Sequence, residues 1–462
     1  MKEIEVRSPW DNIPFEKIKT DNSSEIEEIL LNGYNLSLNK TNEFPLHKRI
    51  EVLKKFSLLI KENIDFLANQ AVKEGGKPLK DTLVEINRGY EGVESCIEIL
   101  KSEAGSVIPM NLNLASKDRI AFTQKEPIGL VLAISAFNHP FNLIIHQIIP
   151  AIAVGCPVIV KPSEDTPLSC ISIIKMLKEA GLPSLWCQLV MPEDIKLATK
   201  MVEDNRISFL SFIGSSKVGW FLKSRLAPGT RCALEHGGMA PVFIEDDIGD
   251  MDETIKAITK GAFYHAGQVC VSVQKVFIKK IIFEEFISKL KVNVKKLIVD
   301  NPNDVNTEVG PLIRPKEVER INDWVNESKK NGANVITGGR KLSETVYEPT
   351  IISDVSDTDK LSNSEVFGPL VNVYQYDDLN NAISLANNCR SSFQSSIFTN
   401  KIDLILEFFQ KINASAVFHN DHTAFRVDWM PFAGLKDSGY GIGGIKYTMD
   451  DMQVEKMLVL KK

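Results

Sequence analysis

The run Ile128-Gly129-Leu130-Val131-Leu132-Ala133-Ile134-Ser135-Ala136-Phe137 decides the fold class of this chain. Its apolar side chains suit a strand of a parallel sheet that is covered on both faces. A helix-like segment follows at about 141–154, and a second apolar run, Pro157-Val158-Ile159-Val160-Lys161, comes directly after it. A strand, a helix and a strand in this order predict an α/β sheet with crossover connections.

The same alternation extends in both directions from this unit. Upstream, residues 46–73 repeat apolar positions at helical spacing and stop at Gly75-Gly76. Further helices are predicted at about 167–180, 251–264 and 283–297, and further strands at 186–191, 207–213, 231–235, 242–244, 274–278 and 453–460. Because the pattern restarts after Gly238, we expect two α/β halves, and small-molecule sites usually form in the cleft between such halves.

Composition and charge narrow the class of protein. The 462 residues are 44% hydrophobic and 25% charged, which is typical of a globular protein with two or three domains. The net charge of −6 offers no basic excess for nucleic acid. The seven cysteines include no CxxC pair, the N-terminus has no apolar signal core, and no apolar run reaches the ~20 residues of a membrane span. A cytoplasmic protein without nucleic-acid or membrane partners is predicted.

Cys270 is the strongest candidate for covalent chemistry. It lies in Gly267-Gln268-Val269-Cys270, downstream of a separate turn, Leu234-Glu235-His236-Gly237-Gly238. A lone cysteine is usually a packing residue. A thiolate, however, can attack a carbonyl, and a glutamate can activate water against the resulting thioester. Cys270 is therefore interpreted as a nucleophile and Glu235 as a base.

Five further motifs occur in order along the chain: Phe137-Asn138-His139-Pro140, Lys161-Pro162-Ser163-Glu164, Phe212-Ile213-Gly214-Ser215-Ser216-Lys217-Val218-Gly219, Glu365-Val366-Phe367-Gly368-Pro369 and Met430-Pro431-Phe432-Ala433-Gly434-Leu435-Lys436. With the two turns above, they resemble the aldehyde dehydrogenase superfamily from about residue 45 to the C-terminus. The neighbourhoods of Asn138 and of Phe425-Arg426-Val427-Asp428 are most similar to the branch that acts on short polar aldehydes, such as lactaldehyde and phosphonoacetaldehyde. The resemblance implies NAD(P)-dependent oxidation of such an aldehyde to its carboxylate.

The resemblance also implies a domain organisation. A Rossmann-type α/β cofactor domain is expected over 1–104 and 124–236, and an α/β catalytic domain over 237–436. A small β-flap used in oligomers would combine 105–123 with 445–462. A protruding strand pair is costly when it is left unpaired, so a homodimer or homotetramer is expected.

The family pattern assigns three catalytic roles. The aldehyde adds to Cys270, and the Asn138 side-chain amide and the Cys270 backbone N–H stabilise the oxyanion that forms. Loss of hydride to the nicotinamide leaves a thioester. Glu235 then activates the water that hydrolyses this thioester.

The cofactor residues follow from the same resemblance. Pyrophosphate is assigned to Gly214, Ser215 and Gly219, the adenine ribose to Lys161 and Glu164, and the nicotinamide side to Glu365 and Phe367, while Ser163 is a further cofactor residue. The first group places backbone N–H groups at a helix N-terminus, where phosphates bind well. Glu164 would repel a 2′-phosphate, which favours NAD, although NADP remains compatible because a lysine lies nearby.

His139 and Arg426 are candidates for the mouth of the substrate site. Arginine suits a carboxylate, a phosphonate or a hydroxyl group, and a structural ion pair of Arg426 with Asp428 is the alternative. No metal site is predicted, because the spacing of His419-Asn420-Asp421-His422 gives poor support for one. A Cys–His hydrolase pair with His265 is disfavoured, since five residues along a helix separate the two faces.

Several positions depart from the family pattern. Gln147 stands where lysine is frequent, Gly443 where glutamate is frequent, His236 replaces leucine and Met239 replaces a polar residue. The first two positions are linked in relatives to proton movement, so proton release is expected to use water or Glu235 alone. The N-terminus also looks shortened, without most of the usual first hairpin.

Two alternative functions stay open at this point. A CoA-acylating dehydrogenase tends to lack the water-activating glutamate, so Glu235 argues against it. A catalytically silent binding protein on the same scaffold would fit the missing proton-transfer partners. The presence of Asn138, Glu235 and Cys270 opposes that interpretation.

Overall fold

A computed structural model describes residues 2–38 and 44–461. In chain order, the strands are β1 (Glu3–Arg7), β2 (Pro14–Lys19), β3 (Val107–Ile108), β4 (Arg119–Pro127), β5 (Leu130–Ile134), β6 (Val158–Lys161), β7 (Cys187–Leu189), β8 (Ile207–Ile213), β9 (Arg231–Glu235), β10 (Ala240–Ile244), β11 (Val273–Lys279), β12 (Asn334–Thr337), β13 (Thr350–Ser353), β14 (Leu370–Tyr376), β15 (Ser391–Ser392), β16 (Gln394–Phe398), β17 (Ala416–His419), β18 (Leu435–Lys436), β19 (Gly439–Tyr440) and β20 (Gln453–Lys461). The helices are α1 (Ser23–Leu38), α2 (Leu46–Glu62), α3 (Ile64–Gly75), α4 (Leu79–Ser102), α5 (Asn142–Val154), α6 (Leu168–Glu179), α7 (Ile195–Val202), α8 (Ser216–Lys223), α9 (Met251–Phe263), α10 (Phe283–Val294), α11 (Pro315–Lys330), α12 (Lys360–Asn363), α13 (Leu379–Asn387), α14 (Ile402–Lys411) and α15 (Ile445–Asp451).

Two large sheets organise the chain. The first has the order β19-β9-β8-β5-β6-β7, and its strands are parallel except for the pair β19 and β9. The second has the order β12-β13-β14-β11-β10-β16-β17, and only β12 runs antiparallel to its neighbour. The α/β fold class predicted from the alternation of strands and helices is thereby confirmed.

Strand β5 shows why the opening run is apolar throughout. Val131 and Ala133 pack into the core formed with α2, α4, α5 and α6. Leu130 and Leu132 face the opposite side, in a core that includes residues of α1 and α8. Since successive side chains of a strand point to opposite faces, a sheet covered on both sides requires apolar residues at consecutive positions.

The helix predicted over 46–73 is two helices rather than one. The chain breaks at Asn63, which has φ −121° and ends α2, and α3 then runs to Gly75. Gly76 ends α3 with φ +70°, a left-handed conformation that glycine adopts without strain. The apolar spacing did not reveal the break because both helices bury the same face against α4 and α6.

The N-terminus forms a hairpin, so the expectation of a shortened first hairpin is wrong. Strands β1 and β2 pair antiparallel from Glu3 opposite Lys19 to Arg7 opposite Pro14. Their exposed, charged alternation hides the hairpin from a search for apolar runs. No helix within residues 2–38 and 44–461 is long and apolar enough to cross a membrane.

A separate three-stranded sheet has the order β20-β4-β3. Strand β20 pairs with β4 along its whole length, from Gln453 opposite Pro127 to Lys461 opposite Arg119. Strands β3 and β4 from the first predicted flap segment and β20 from the second therefore form one sheet, and β4 continues beyond residue 123. The domain boundaries given above stay a prediction.

Candidate active site

One cavity of about 770 Å³ lies where loops that follow strands of the first large sheet meet loops of the second sheet, including those before β11 and β14. Its volume falls within the ~300–1,000 Å³ range of small-molecule sites. It is lined by ten of the predicted site residues: Asn138, His139, Ser163, Gly214, Ser215, Glu235, Cys270, Glu365, Phe367 and Arg426. Lys161, at the end of β6, Glu164, which is exposed, and Gly219, in α8, do not line it.

A left-handed turn presents Cys270 to this cavity. Helix α9 ends at Phe263, and His265, Ala266 and Gly267 follow with φ values of 49°, 52° and 70°. A Cβ added at residue 267 would lie 2.1 Å from the Gly368 carbonyl oxygen, so only glycine fits there. The chain therefore leaves the helix before His265, and the helical spacing used against a His265–Cys270 pair does not apply.

Gln268 fixes the loop that carries the nucleophile. Its side-chain Oε1 accepts a hydrogen bond of 2.9 Å from the Ile313 N–H, and its Nε2 donates to the Pro311 carbonyl at 3.2 Å. The Asn138 amide nitrogen donates to the Gln268 carbonyl oxygen at 2.9 Å. An amide nitrogen carries two hydrogens, so Asn138 keeps one donor for a ligand while its position is tied to the Cys270 loop.

The environment of Cys270 holds its thiol protonated near neutral pH. Burial, together with the nearby carboxylates of Glu365 and Glu235, raises the pKa of Cys270 to about 12, against the opposing effect of Arg426. A thiol is a far weaker nucleophile than a thiolate. Formation of a bond to sulfur therefore has to be accompanied by transfer of the thiol proton to a base.

Glu235 ends β9 and points toward Gly443. A Cβ added at residue 443 would lie 2.2 Å from Glu235 Oε1, so the absence of a side chain there leaves room for the carboxylate. Burial raises the pKa of Glu235, against the positive charges of His146 and Arg426. A carboxyl group with a raised pKa is suited to accept a proton near neutral pH.

Glu365 occupies the space left by the two glycines after Glu235. A Cβ added at Gly237 would lie 1.7 Å from Glu365 Oε1, and the Gly238 N–H donates to the Cys270 carbonyl at 3.1 Å. Burial raises the pKa of Glu365 to about 8. Phe367 has φ +47° and packs edge-on against Phe137 at a centroid distance of 5.8 Å. The Glu-x-Gly-Gly turn thus fits two partly buried carboxyl groups beside one thiol.

Polar groups suited to a dinucleotide surround the other end of the cavity. Ser215 caps the N-terminus of α8, and none of the hydrogen bonds among the described residues uses its backbone N–H. The first N–H groups of a helix lack intrahelical partners and favour a phosphate. Lys161 Nζ lies 3.8 Å from Glu164 Oε1, and Ser163 lines the cavity beside them. These residues fit a dinucleotide phosphate and ribose.

Arg426 is not the structural partner of Asp428. Asp428 instead binds Arg88, with Oδ1 to Nη2 at 2.6 Å, and His146, with Oδ1 to Nε2 at 2.8 Å. Arg426 lies over the Phe432 ring at 4.1 Å and donates to the Met430 carbonyl at 3.1 Å. None of the ion pairs among residues 2–38 and 44–461 includes Arg426. An unpaired guanidinium therefore lines the cavity.

Three residues of this region were missed by sequence reasoning. Arg88 and His146 line the cavity and hold Asp428, but each lies within an ordinary helix, without a local motif that marks it. Tyr264 also lines the cavity, and its hydroxyl lies 3.2 Å from His139 Nε2. The only feature of the sequence that could have indicated Tyr264 as a site residue is its position six residues before Cys270.

Gln147 braces two strands behind the cavity. Its side-chain nitrogen donates to the carbonyl of Ile134 at 3.1 Å, at the end of β5, and to that of Ser211 at 3.0 Å, two residues before the end of β8. It does not line the cavity. Gln147 therefore cross-links two strands. Because its side chain does not line the cavity, it gives no proton path to the site.

The histidines set aside above have local partners or apolar surroundings. His419 Nε2 bonds to the Thr399 carbonyl at 2.8 Å, and His422 Nδ1 accepts from the Ala424 N–H at 3.1 Å. No group of three or more metal-ligating side chains occurs among the described residues. His265 is fully buried beside His139.

Known proteins resemble this chain over almost its whole length. The family model for the aldehyde dehydrogenase family matches residues 1–458. A 3-sulfolactaldehyde dehydrogenase from Priestia aryabhattai is 35% identical over 419 residues, which cover 91% of this chain and 87% of that protein. A lactaldehyde dehydrogenase from Methanocaldococcus jannaschii is 34% identical over 422 residues, which cover 90% of this chain and 89% of that protein.

Solved structures agree with these matches. Aldehyde dehydrogenase 21 from Physcomitrella patens, in complex with the reaction product succinate, is 32% identical, with a TM-score of 0.96 over 100% of this chain and 95% of that one. A glyceraldehyde-3-phosphate dehydrogenase from Methanocaldococcus jannaschii complexed with NADP is also 32% identical, with a TM-score of 0.94 over 100% of both chains. The superfamily resemblance drawn from the motifs is confirmed: this chain belongs to the aldehyde dehydrogenase family, whose members are NAD(P)-dependent aldehyde oxidoreductases.

Proposed function

We propose that this protein oxidises a short polar aldehyde, similar to lactaldehyde, to its carboxylate with NAD or NADP as oxidant. One observation carries the proposal: a thiol, a buried carboxyl group and a free amide donor line the same cavity as a helix N-terminus suited to phosphate. Cys270, Glu235 and Asn138 supply the first three groups. The names of the two enzymes of known substrate described above support the aldehyde class.

The first step forms a bond between Cys270 Sγ and the aldehyde carbon. The thiol gives up its proton to Glu235 or to water, and the carbonyl π electrons move to oxygen. The remaining N–H of Asn138 and the Cys270 backbone N–H are the donors available for the resulting oxyanion. Donors that are already fixed by the fold stabilise this charge without reorganising.

The carbon bound to Cys270 Sγ has to lose a hydride, and a nicotinamide bound in this cavity would supply the acceptor. Gly214, Ser215 and the N-terminus of α8 would hold its pyrophosphate, Lys161, Ser163 and Glu164 its adenine ribose, and Glu365 and Phe367 its nicotinamide side. Glu164 disfavours a 2′-phosphate, so NAD is the preferred cofactor of the proposal.

The second half of the reaction cleaves the thioester. Glu235 takes a proton from water as its oxygen attacks the thioester carbon, and the C–S bond breaks to release the carboxylate. The proton returns to the Cys270 sulfur or leaves through solvent. The raised pKa of Glu235 makes it a competent base for this step near neutral pH.

The reaction is tested by formation of reduced cofactor with a panel of short aldehydes. The panel holds lactaldehyde, 3-sulfolactaldehyde, glyceraldehyde, glycolaldehyde, succinic semialdehyde and phosphonoacetaldehyde, each with NAD and with NADP. Turnover to a free carboxylate without CoA supports the proposal. Products that appear only as CoA thioesters would instead assign a CoA-acylating enzyme, and binding of cofactor without turnover of any aldehyde would favour a silent binding protein.

Arg426 points to an anionic group on the preferred aldehyde. Burial lowers the pKa of Arg426 only to about 10, so its guanidinium is charged at neutral pH although it lies in a largely buried site. Asp428 and Glu235 act on this charge without forming an ion pair with it, and a substrate carboxylate, sulfonate or phosphonate would supply a direct partner. Arginine binds such groups through two parallel hydrogen bonds.

The substitution Arg426→Met is therefore expected to discriminate between substrates. It should lower kcat/KM about 100-fold for an anionic aldehyde such as 3-sulfolactaldehyde or succinic semialdehyde. For neutral lactaldehyde, the change should stay within about threefold, because no charge pair is lost. Arg426→Lys, which keeps the charge but not the fork, should give an intermediate loss. Equal losses for charged and neutral aldehydes would show that Arg426 supports the fold rather than the substrate.

The sheet of β3, β4 and β20 is proposed to join two copies of this chain. Strand β20 is an edge strand, and its Met457, Leu458, Val459 and Leu460 are 42–55% exposed. A long exposed apolar edge invites pairing with another strand. Light scattering after size exclusion should therefore give a homodimer or homotetramer. Leu458→Asp should shift the mass toward the monomer, whereas Ile195→Asp, at an exposed apolar position on α7, should leave it unchanged; a monomeric wild-type protein would contradict the assignment.

A further inference from the structure

His236 is a buried histidine beside the turn at Gly214, and the reaction described above gives it no role. Its side chain is almost inaccessible, at 2% exposure. The ring packs edge-on against Phe212 and Trp220, with centroid distances of 5.7 and 6.1 Å. It lines the cavity together with Gly214 and Ser215. A histidine that replaces leucine here therefore lies within the region suited to the cofactor.

Residues 235 and 236 hold both polar backbone groups of Gly214. The Gly214 N–H donates to the Glu235 carbonyl at 3.0 Å, and the Gly214 carbonyl lies 3.0 Å from His236 Nδ1. A carbonyl can only accept, so Nδ1 carries the hydrogen of this bond. Burial lowers the pKa of His236, which favours the neutral ring with an unprotonated Nε2. Leucine at this position could make no such bond.

The bond to the Gly214 carbonyl also sets the direction of the next N–H. In a trans peptide, the C=O of one residue and the N–H of the following residue point in opposite directions. Because the Gly214 carbonyl is turned toward His236, the Ser215 N–H points away from it. No described residue accepts from that N–H, as noted above, and it stands in line with the free N–H groups that begin α8.

The imidazole also explains the glycine at position 219. A Cβ added there would lie 1.9 Å from His236 Cε1 and 2.5 Å from Nε2. The ring therefore fills the space above Gly219 in the first turns of α8. His236 and Gly219 fit each other as a pair, and together they fix how closely α8 approaches the end of β9.

We propose that His236 is a positioning residue for the cofactor, which orients the Gly214 peptide so that Ser215 and the N-terminus of α8 bind the pyrophosphate of NAD or NADP. The inference rests on the proposed function, because it takes this turn as the pyrophosphate site. It does not depend on which aldehyde is oxidised.

The test compares His236→Leu with His236→Asn. Leucine keeps apolar bulk but removes the donor, whereas the Asn amide N–H can lie where Nδ1–H lies. Loss of one such bond should raise the cofactor Kd about fivefold to tenfold in H236L. In H236N, the Kd should stay within about twofold of the wild-type value. Binding is followed by titration of tryptophan fluorescence, since Trp220 lies against the ring. At saturating cofactor, kcat should be unchanged in both variants.

The outcomes separate positioning from general support of the fold. Wild-type affinity in H236L would overturn the inference, and so would equal weakening by leucine and asparagine, or a loss of kcat with unchanged Kd. If H236L is not recovered in folded form, His236→Gln takes its place. The glutamine amide lies one bond further from the backbone than the asparagine amide, so H236Q should bind the cofactor as weakly as H236L is expected to. A wild-type protein that binds neither NAD nor NADP would refute the proposed function itself, so the two failures are distinguishable.

Discussion

Replacement of Cys270 by alanine is expected to lower aldehyde turnover at least about 10⁴-fold, because the adduct from which hydride leaves can no longer form. The measurement is the steady-state rate of reduced-cofactor formation with the best aldehyde of the panel. Binding of the cofactor should persist, since its proposed contacts come from other loops. Turnover that survives the substitution would exclude covalent catalysis through this thiol.

Cys389→Ala is the matched control for this change. Cys389 is partly exposed like Cys270, but it does not line the cavity. The control removes the same chemical group at a distance, and its turnover should equal that of the wild-type protein. Loss of activity in both variants would indicate damage to the fold rather than loss of the nucleophile.

Replacement of Glu235 by glutamine is expected to separate the two halves of the reaction. Hydrolysis should slow about 10²- to 10⁴-fold, the usual contribution of a general base. Acylation can still proceed once the thiol proton leaves to water. A burst of about one reduced cofactor per active site should therefore precede a slow steady state, the kinetic sign of an accumulated acyl-enzyme. Mass spectrometry should find the acyl group on the peptide that contains Cys270.

Glu245→Gln serves as the comparison, because Glu245 is a buried glutamate that bonds to Tyr376 and does not line the cavity. It should show neither the burst nor the slow phase. If E235Q instead abolishes the burst, Glu235 is needed before the thioester forms, and the base for the thiol proton is then assigned to it.

The sequence predicted the fold and the main groups of the site because both are encoded locally. The apolar run at 128–137 is typical of a doubly covered strand, and the motifs at Asn138, Lys161, Gly214 and Glu235 lie where strands of the first large sheet end. Parallel strands bring such loops to one edge of a sheet, so motifs far apart in sequence converge. Asn138 and Glu235 line one cavity for this reason, whereas Cys270 reaches the same cavity from the loop before β11 of the second large sheet.

Pairings between distant residues could not be predicted in this way. Nothing near Gly443 in the sequence indicates that its missing side chain makes room for Glu235, and nothing near Asp428 indicates Arg88 as its partner. Gln147 appeared to be a lost proton carrier, but its amide links β5 and β8. These relations depend on which surfaces meet, and one sequence by itself does not specify that.

The left-handed turn before Cys270 bears on whether the reactivity of this thiol comes from the local motif or from the folded protein. Left-handed backbone costs roughly 1–2 kcal/mol at each residue that has a side chain, and His265 and Ala266 both adopt it. The intrinsic backbone preferences of His265 and Ala266 disfavour this turn. The side-chain hydrogen bonds of Gln268 and the packing against Gly368 must therefore stabilise it. A peptide with the Gly-Gln-Val-Cys motif would not keep the shape. The ability to react is therefore a property of the assembled tertiary structure and not of the motif alone.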